Sequence, residues 1–294
     1  MNGPVTQEST GRTLIASDLD RTLIYSAGAL RLTTPDAESP RLLCVEVYQG
    51  RPLSYVTETA AGLLAALAAE AVLVPVTTRT REQYDRVRLP GPPPAYAVCA
   101  NGGDIVVDGE RDRGWRRAVE ARIAAECAPL AEVGARLTAT ADPAWLLKAR
   151  TADDLFAYLV VERPLLPDGW VAELTAWAAS RGWSVSLQGR KLYAVPRPLT
   201  KSAAMREIAE RVGARRVFAA GDSLLDADLL LAADRGFRPG HGELADEGWT
   251  APHVEALAER GVAAGEEIAR RFLAGARGDA QRTRRSGHGV TDTA

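Results

Sequence analysis

The sequence predicts an α/β protein: a doubly wound, Rossmann-like parallel sheet whose chain is interrupted by an inserted α+β segment. Three observations carry that expectation. Residues 13–17 (TLIAS) form a short apolar run that stops at an acid, as a strand buried on both faces does. Residues 56–70 are rich in Ala and Leu, with Leu63, Leu64 and Leu67 on one helical face, and residues 71–76 (AVLVPV) are a second apolar strand. Strand, helix and strand in that order imply a right-handed crossover between parallel strands. The alternation returns late, as a helix over 201–213 closed by glycine, a strand over 216–220 (RVFAA) and a helix over 226–233. Two βα halves far apart in the chain fit one sheet with an insertion between them.

The middle of the chain does not alternate. Residues 89–94 (LPGPPP) are a stiff hinge, because proline fixes φ and removes a donor. A hairpin follows, with strands at 96–100 and 104–107 around Asn101-Gly102-Gly103. A long amphipathic helix is expected over 115–133, then strands at 146–149 and 156–161, a helix over 168–181, and paired strands at 183–187 and 191–195. Pro196 and Pro198 mark the return. The expected organisation is therefore a discontinuous core of 11–88 and 197–275, an inserted domain of 89–196, and a polar, Gly-rich, disordered tail of 276–294. Residues 1–10 read as a loose leader. A second hairpin, 42–57, interrupts the path from the first strand to its helix and could be a flap.

Composition narrows the function classes. With 294 residues, 46% of them apolar and 25% charged, the chain is an ordinary globular one. A net charge of −2 supplies no basic field, so neither nucleic acid nor an anionic membrane is an expected partner. Charge-free stretches such as 59–69 fall short of the ~20 apolar residues of a membrane span, and the opening segment lacks the apolar core of a secretory signal. Three cysteines, Cys44, Cys99 and Cys127, share no metal-ligand spacing and read as free buried thiols in a reducing, cytoplasmic setting.

Chemistry concentrates at the strand ends. Asp18-Leu19-Asp20-Arg21-Thr22 follows the first strand directly, and residues i and i+2 of an extended segment project together. Two carboxylates that close repel unless a cation binds or one holds a proton, so the pair suits a nucleophile, a metal ligand or a general acid. Two solvated surface acids would give the same letters. Asp222 ends the late strand in Gly221-Asp222-Ser223-Leu224-Leu225-Asp226, and Asp226 opens the next helix. Asp226 alone reads as a helix-terminus acid; with Asp222 it points to the crevice beyond a parallel sheet. Thr77 and Thr78 end the second strand, where hydroxyls and N–H groups can hold a phosphate oxygen or cap a helix. Arg79 could reach a substrate anion, and Lys201, opening a helix, could clamp a phosphate as a point charge.

Taken together and in this order, the four motifs resemble those of the haloacid dehalogenase-like hydrolase superfamily. Asp18, Asp20 and Thr22 match its first motif, Thr77 its second, Lys201 its third, and Asp222 with Asp226 its fourth. The insertion resembles a C2-type cap, as in Cof-like and sucrose-phosphate-phosphatase-like members, and Gly261-Val262-Ala263 resembles the closing segment of that branch. Arg21 stands where such members commonly have Gly, Thr78 where Thr-Gly-Arg is usual, and Leu225 where Asn is frequent. The resemblance implies a phosphatase working through an aspartyl-phosphate: Asp18 as nucleophile and Asp20 as acid and then base. It further implies Mg²⁺ held by Asp18, Asp20 through its backbone carbonyl, Asp222 and Asp226. Thr22, Thr77, Thr78, Arg79 and Lys201 would then bind phosphate, and Asn101, Lys148, Arg190 and Lys191 are candidates to meet the rest of a small phosphorylated metabolite. Sugar phosphates are the first expectation and nucleotides the second. A phosphomutase or phosphotransferase on the same core, or a catalytically silent phosphate-binding protein, would carry the same residues.

Overall fold

The computed structural model describes residues 12–287, so the expected leader and residues 288–294 of the expected tail lie outside the described residues. The first half of the chain runs β1 (Thr13–Ser17), β2 (Tyr25–Ser26), β3 (Leu42–Tyr48), β4 (Arg51–Thr57), α1 (Glu58–Glu70), β5 (Val72–Pro75), α2 (Arg81–Tyr84), β6 (Tyr96–Cys99), β7 (Asp104–Val107), β8 (Glu110–Arg111), α3 (Arg113–Glu126) and α4 (Leu130–Ala139). The second half runs β9 (Leu146–Ala152), β10 (Phe156–Val161), α5 (Trp170–Ala179), β11 (Trp183–Gln188), β12 (Lys191–Pro196), α6 (Lys201–Arg211), β13 (Arg216–Ala220), α7 (Ala227–Leu231), β14 (Arg235–Arg238), α8 (Glu243–Asp246), β15 (Val254–Ala256) and α9 (Val262–Gly287).

The central sheet has the order β15-β14-β13-β1-β5, and every pairing in it is parallel. Successive side chains of a strand point to opposite faces, and both faces of β1 are covered. Ile15 packs with Leu64 and Leu67 of α1 and with Ile268 and Phe272 of α9. Leu14 and Ala16 pack with Met205 and Ile208 of α6 and with Leu229 and Leu230 of α7. This is the doubly wound arrangement expected from the apolar runs. Strands β14 and β15 were not legible, because RGFR is short and half arginine; only Phe237 of it enters the core.

A second, antiparallel sheet, β11-β12-β10-β9, is formed by the inserted segment. Val119 of α3, Val133 and Leu137 of α4, and Leu174 and Ala178 of α5 bury against it. The expected single helix over 115–133 is instead two, because Pro129 cannot donate to a preceding turn and forces Ala128 toward an extended backbone. The N–H of Ala128 is satisfied by the carbonyl of Arg181 instead.

Three further expectations are corrected. The segment around β6 and β7 falls inside the expected insertion, yet Val98 and Ile105 bury in the same cluster as Leu14 and Val74, and Val98 bridges to Val76. The expected disordered tail is helical from 276 to 287, as the end of α9. Ile268, Ala269, Phe272, Leu273 and Ala276 recur at helical spacing and continue one buried face, while Asp279 pairs with Arg216 at 3.1 Å. All three cysteines are free, but only Cys99 is buried; Cys44 is exposed. No helix among the described residues is long and apolar enough to cross a membrane.

Candidate active site

The carboxyl ends of β1, β5 and β13 meet at one rim of the sheet. Asp18 is the first residue after β1, and its N–H donates to the carbonyl of Ala220, at the end of β13, over 2.9 Å. The chain then turns tightly. Leu23 N–H and Ile24 N–H both return to the Leu19 carbonyl, and Arg21 N–H donates to Ile24 O at 2.8 Å. Arg21 has φ +64°, a left-handed conformation that costs a side-chain-bearing residue on the order of 1 kcal/mol relative to glycine. That is the position where glycine is the commoner choice in the resembled family, and the turn is the same kind that glycine serves.

His241 supports this turn. Its Nδ1 accepts from the Gly261 N–H at 3.1 Å, so Nε2 carries the proton and donates to the Arg21 carbonyl at 2.9 Å. The adjacent Gly242 has φ +96°, and a Cβ there would stand 2.4 Å from the Asp222 carbonyl. Gly240-His241-Gly242 was a sequence signal for close backbone approach that the motif reading passed over. Burial lowers the His241 pKa to about 4, with Arg21, Arg31 and Arg260 adding to the shift. The unfolded chain therefore binds a proton near pH 6.5 that the folded one does not take until about pH 4. Stability must fall as pH drops through that window, by on the order of 3 kcal/mol from this group. Urea midpoints at pH 7 and pH 4.5 should differ by less in His241→Asn than in the wild type; an equal difference would remove His241 as the cause.

Three buried acids and one lysine form the centre. Asp18, Asp222 and Asp226 each offer a carboxylate oxygen, all within 4.8 Å of one another. Lys201, only 1% exposed, sets its Nζ 2.7 Å from Asp18 Oδ1 and against Asp226 Oδ1. Asp226 Oδ2 accepts from the N–H groups of Asp222 (3.1 Å) and Ser223 (2.9 Å) and from the Ser223 hydroxyl (2.7 Å). Thr22 Oγ1 donates to Asp18 Oδ2 at 3.2 Å. Burial, helped by the charges of Asp226 and Asp20, pushes Asp18 up to about 7 against the pull of Lys201. Burial and the charge of Asp18 also raise Asp222 well above the carboxylate range. Carboxylates so desolvated and crowded are short of positive charge, and a hard oxygen set of this kind fits Mg²⁺.

Asp20 behaves differently. Its carboxylate is not one of that group; it accepts two bonds from Arg79, Nε at 2.7 Å and Nη2 at 2.8 Å. Partial burial raises its pKa, but the charge and hydrogen bonds of Arg79 outweigh this and leave it below the usual value. Arg79 is in turn held by Glu46, 3% exposed, with Nη1 2.8 Å from Oε1 and Nη2 3.0 Å from Oε2. Glu46 comes from the 42–57 hairpin and also accepts from Ser54 at 2.6 Å. Val45 and Val56 anchor that hairpin in the core, so its contribution to the site is this carboxylate.

A cavity of about 520 Å³ opens over the rim, between the central sheet and the antiparallel sheet. Of the expected residues Asp18, Asp20, Thr78, Arg190, Lys191 and Asp222 line it. Thr22, Thr77, Lys201 and Asp226 are buried, and the Thr77 hydroxyl accepts from the Arg79 N–H. Asn101 and Lys148 are not among the lining residues: Asn101 is buried and donates to the Leu199 carbonyl, and Lys148 is exposed on β9. Arg31, Gln188, Tyr193 and His241 line the cavity without having been singled out. Glu243 of α8 joins the two sheets across the gap, accepting from Ser186 Oγ at 2.8 Å and Leu187 N–H at 3.2 Å.

No family model matches the chain, and no curated protein matches it. Solved structures do. A sucrose-phosphatase from Synechocystis sp., in complex with sucrose and phosphate, superposes with TM-score 0.61 over 89% of this chain and 98% of its own, at 15% identity. The fold is that of the haloacid dehalogenase-like hydrolases. A subclass IIB sugar phosphatase of that superfamily gives TM-score 0.53 at 14% identity, over 88% of this chain and 98% of its own. The trehalose-6-phosphate phosphatase C-terminal domain of C. albicans gives TM-score 0.53 at 10% identity, over 90% and 92%. Each haloacid dehalogenase-like neighbour thus covers the inserted segment as well as the sheet.

Proposed function

We propose that the chain is a Mg²⁺-dependent phosphatase of small phosphate esters. The observation that carries this is the convergence of Asp18, Asp222 and Asp226, from two strand ends two hundred residues apart, on one point beside Lys201. Phosphatases of sucrose phosphate and trehalose phosphate sharing the fold support the substrate class.

Asp18 attacks the phosphorus in line and forms an aspartyl-phosphate, and the leaving oxygen takes a proton from Asp20. Asp20 then removes a proton from the water that hydrolyses the intermediate. Held by Arg79, Asp20 is ionised at rest and so stands ready for the second step; substrate entry has to load it with the proton of the first. Thr22 and Lys201 orient Asp18, and Lys201 with the Thr77–Thr78 strand end meets the equatorial oxygens. Asp18, Asp222 and Asp226, together with the Asp20 backbone carbonyl, would hold Mg²⁺, which when bound would neutralise charge on the phosphoryl group. The segment carrying β9–β12 acts as a cap, closing over the leaving group and excluding water. Free thiols throughout fit a cytoplasmic protein.

Inorganic phosphate release from a panel of sugar phosphates should require Mg²⁺, vanish with EDTA and return on excess Mg²⁺. Release undiminished by EDTA would overturn the metal assignment, and no release from any ester would overturn the activity.

A further inference from the structure

The cavity over Asp18 has an uneven distribution of charge. Its acids, Asp18, Asp20 and Asp222, all lie on the floor at the sheet rim. The rest of its lining includes a basic wall of Arg21, Arg31, Arg190 and Lys191. Arg21 is paired, with Nε 3.2 Å from Asp222 Oδ2. Among the described residues, Arg31, Arg190 and Lys191 make no ion pair within 4 Å, although Lys191 is close enough to Asp20 for their charges to act on each other. Two of the four cations come from the central-sheet side, Arg190 comes from the turn between β11 and β12, and Lys191 opens β12. That turn passes directly over Arg21: Gly189 has φ +56°, and a Cβ there would stand 3.6 Å from Arg21 Nη1. Cations facing each other across a cavity repel, and the repulsion is relieved when an anion enters between them.

Resting on the phosphatase reading, we infer that the substrate's leaving group carries a second anion, a carboxylate or a phosphate, which the Arg21–Arg31–Arg190–Lys191 wall holds. The scissile phosphate already has Lys201 and the metal-binding acids at the floor, so the wall's charge is left for another group. The wall suits an anion better than a neutral sugar, whose hydroxyls are matched by acceptors as well as donors. Arginine in particular presents a planar fork to carboxylate or phosphate oxygens. The volume, about 520 Å³, accommodates a phosphorylated sugar acid or a sugar bisphosphate whole. Because the wall is shared between cap and core, the same anion draws the two together.

The test compares three probes: glucose 6-phosphate with a neutral leaving group, 6-phosphogluconate with a carboxylate, and fructose 1,6-bisphosphate with a second phosphate. For the wild type with Mg²⁺, kcat/KM for at least one of the two anionic esters is expected to exceed that for glucose 6-phosphate by tenfold or more. The excess should shrink as KCl is raised. In the double variant Arg190→Gln, Lys191→Gln the ratio should fall toward one, with the melting temperature retained. Calorimetric binding to an Asp18→Asn variant reads the wall without turnover. Preferential binding of an anionic ester there supports the wall assignment even if no ester is hydrolysed, the outcome that would remove only the phosphatase reading. Equal kcat/KM for the three probes, equal or absent binding, or a double variant that keeps the wild-type ratio would each overturn the inference.

Discussion

Replacing Asp18 with asparagine is expected to lower phosphate release by at least about 10³-fold while leaving the protein folded and no less stable. The activity half follows from chemistry, since an amide oxygen is a poor nucleophile and forms no stable acyl-phosphate. The stability half follows from the surroundings. Asp18 is 5% exposed and shares its space with Asp222 and Asp226. Burial and those like charges already push it up to about 7, so its ionised form is strained in the metal-free protein. Asparagine has the same shape. It can turn its oxygen to Lys201 Nζ and its amide to the Thr22 hydroxyl, which rotates to accept. One negative charge is removed from a crowded site, which outweighs the single neutral Thr22 hydroxyl that gives up its acceptor. Thermal melts without divalent ions should therefore show an equal or higher Tm, and Mg²⁺ should raise the variant's Tm by less than the wild type's. Turnover near the wild-type level would end the assignment of Asp18 as the nucleophile. A large fall in Tm would contradict the electrostatic description of the site.

The parts of this site that were readable in the sequence are those tied to buried parallel strands. TLIAS and RVFAA read as strands because both faces are covered, and the acids that follow them, Asp18 and Asp222, are placed by the strand ends themselves. Lys201 was readable because Thr200 caps its helix, with Oγ1 accepting from the Ala203 N–H. Residues whose position depends on tertiary packing were not. Glu46 lies on an inserted hairpin at a bulge, and nothing local distinguishes it from a surface acid. Arg79 was expected to face substrate, but its fork is taken by Asp20 and Glu46, which come from elements remote in sequence. Asn101 looked like an open turn residue; it has φ +56°, which asparagine tolerates, and its side chain ties the β6–β7 turn to Leu199. The end of α9 was mistaken for a tail because its buried face is built from alanine and glycine as well as large side chains, so the apolar periodicity fades before the helix does.

Lys201→Met carries the largest expected effect on stability. Lys201 Nζ is the cation bound to both Asp18 and Asp226, and all three side chains are buried. Methionine fills the space of the alkyl stem but leaves two buried carboxylates without their counter-charge. Breaking a buried pair from one side costs about 3–5 kcal/mol, because the stranded charge keeps its desolvation penalty. The pH dependence identifies the cause. A carboxyl whose folded pKa lies above its unfolded value of 3.8 binds more protons in the native state. Stability from it is full below that unfolded value and is lost as pH rises through the folded one. Asp18, already raised to about 7 with the lysine present, moves higher without it. The stability deficit of the variant in urea should therefore be greatest near pH 8 and shrink on going to pH 5, where Asp18 takes up a proton instead. Millimolar Mg²⁺ should restore part of the loss at pH 8, by returning positive charge to Asp18 and Asp222. A deficit independent of both pH and Mg²⁺ would mean that Lys201 acts through packing alone. The charge balance assigned to the three acids would then be wrong.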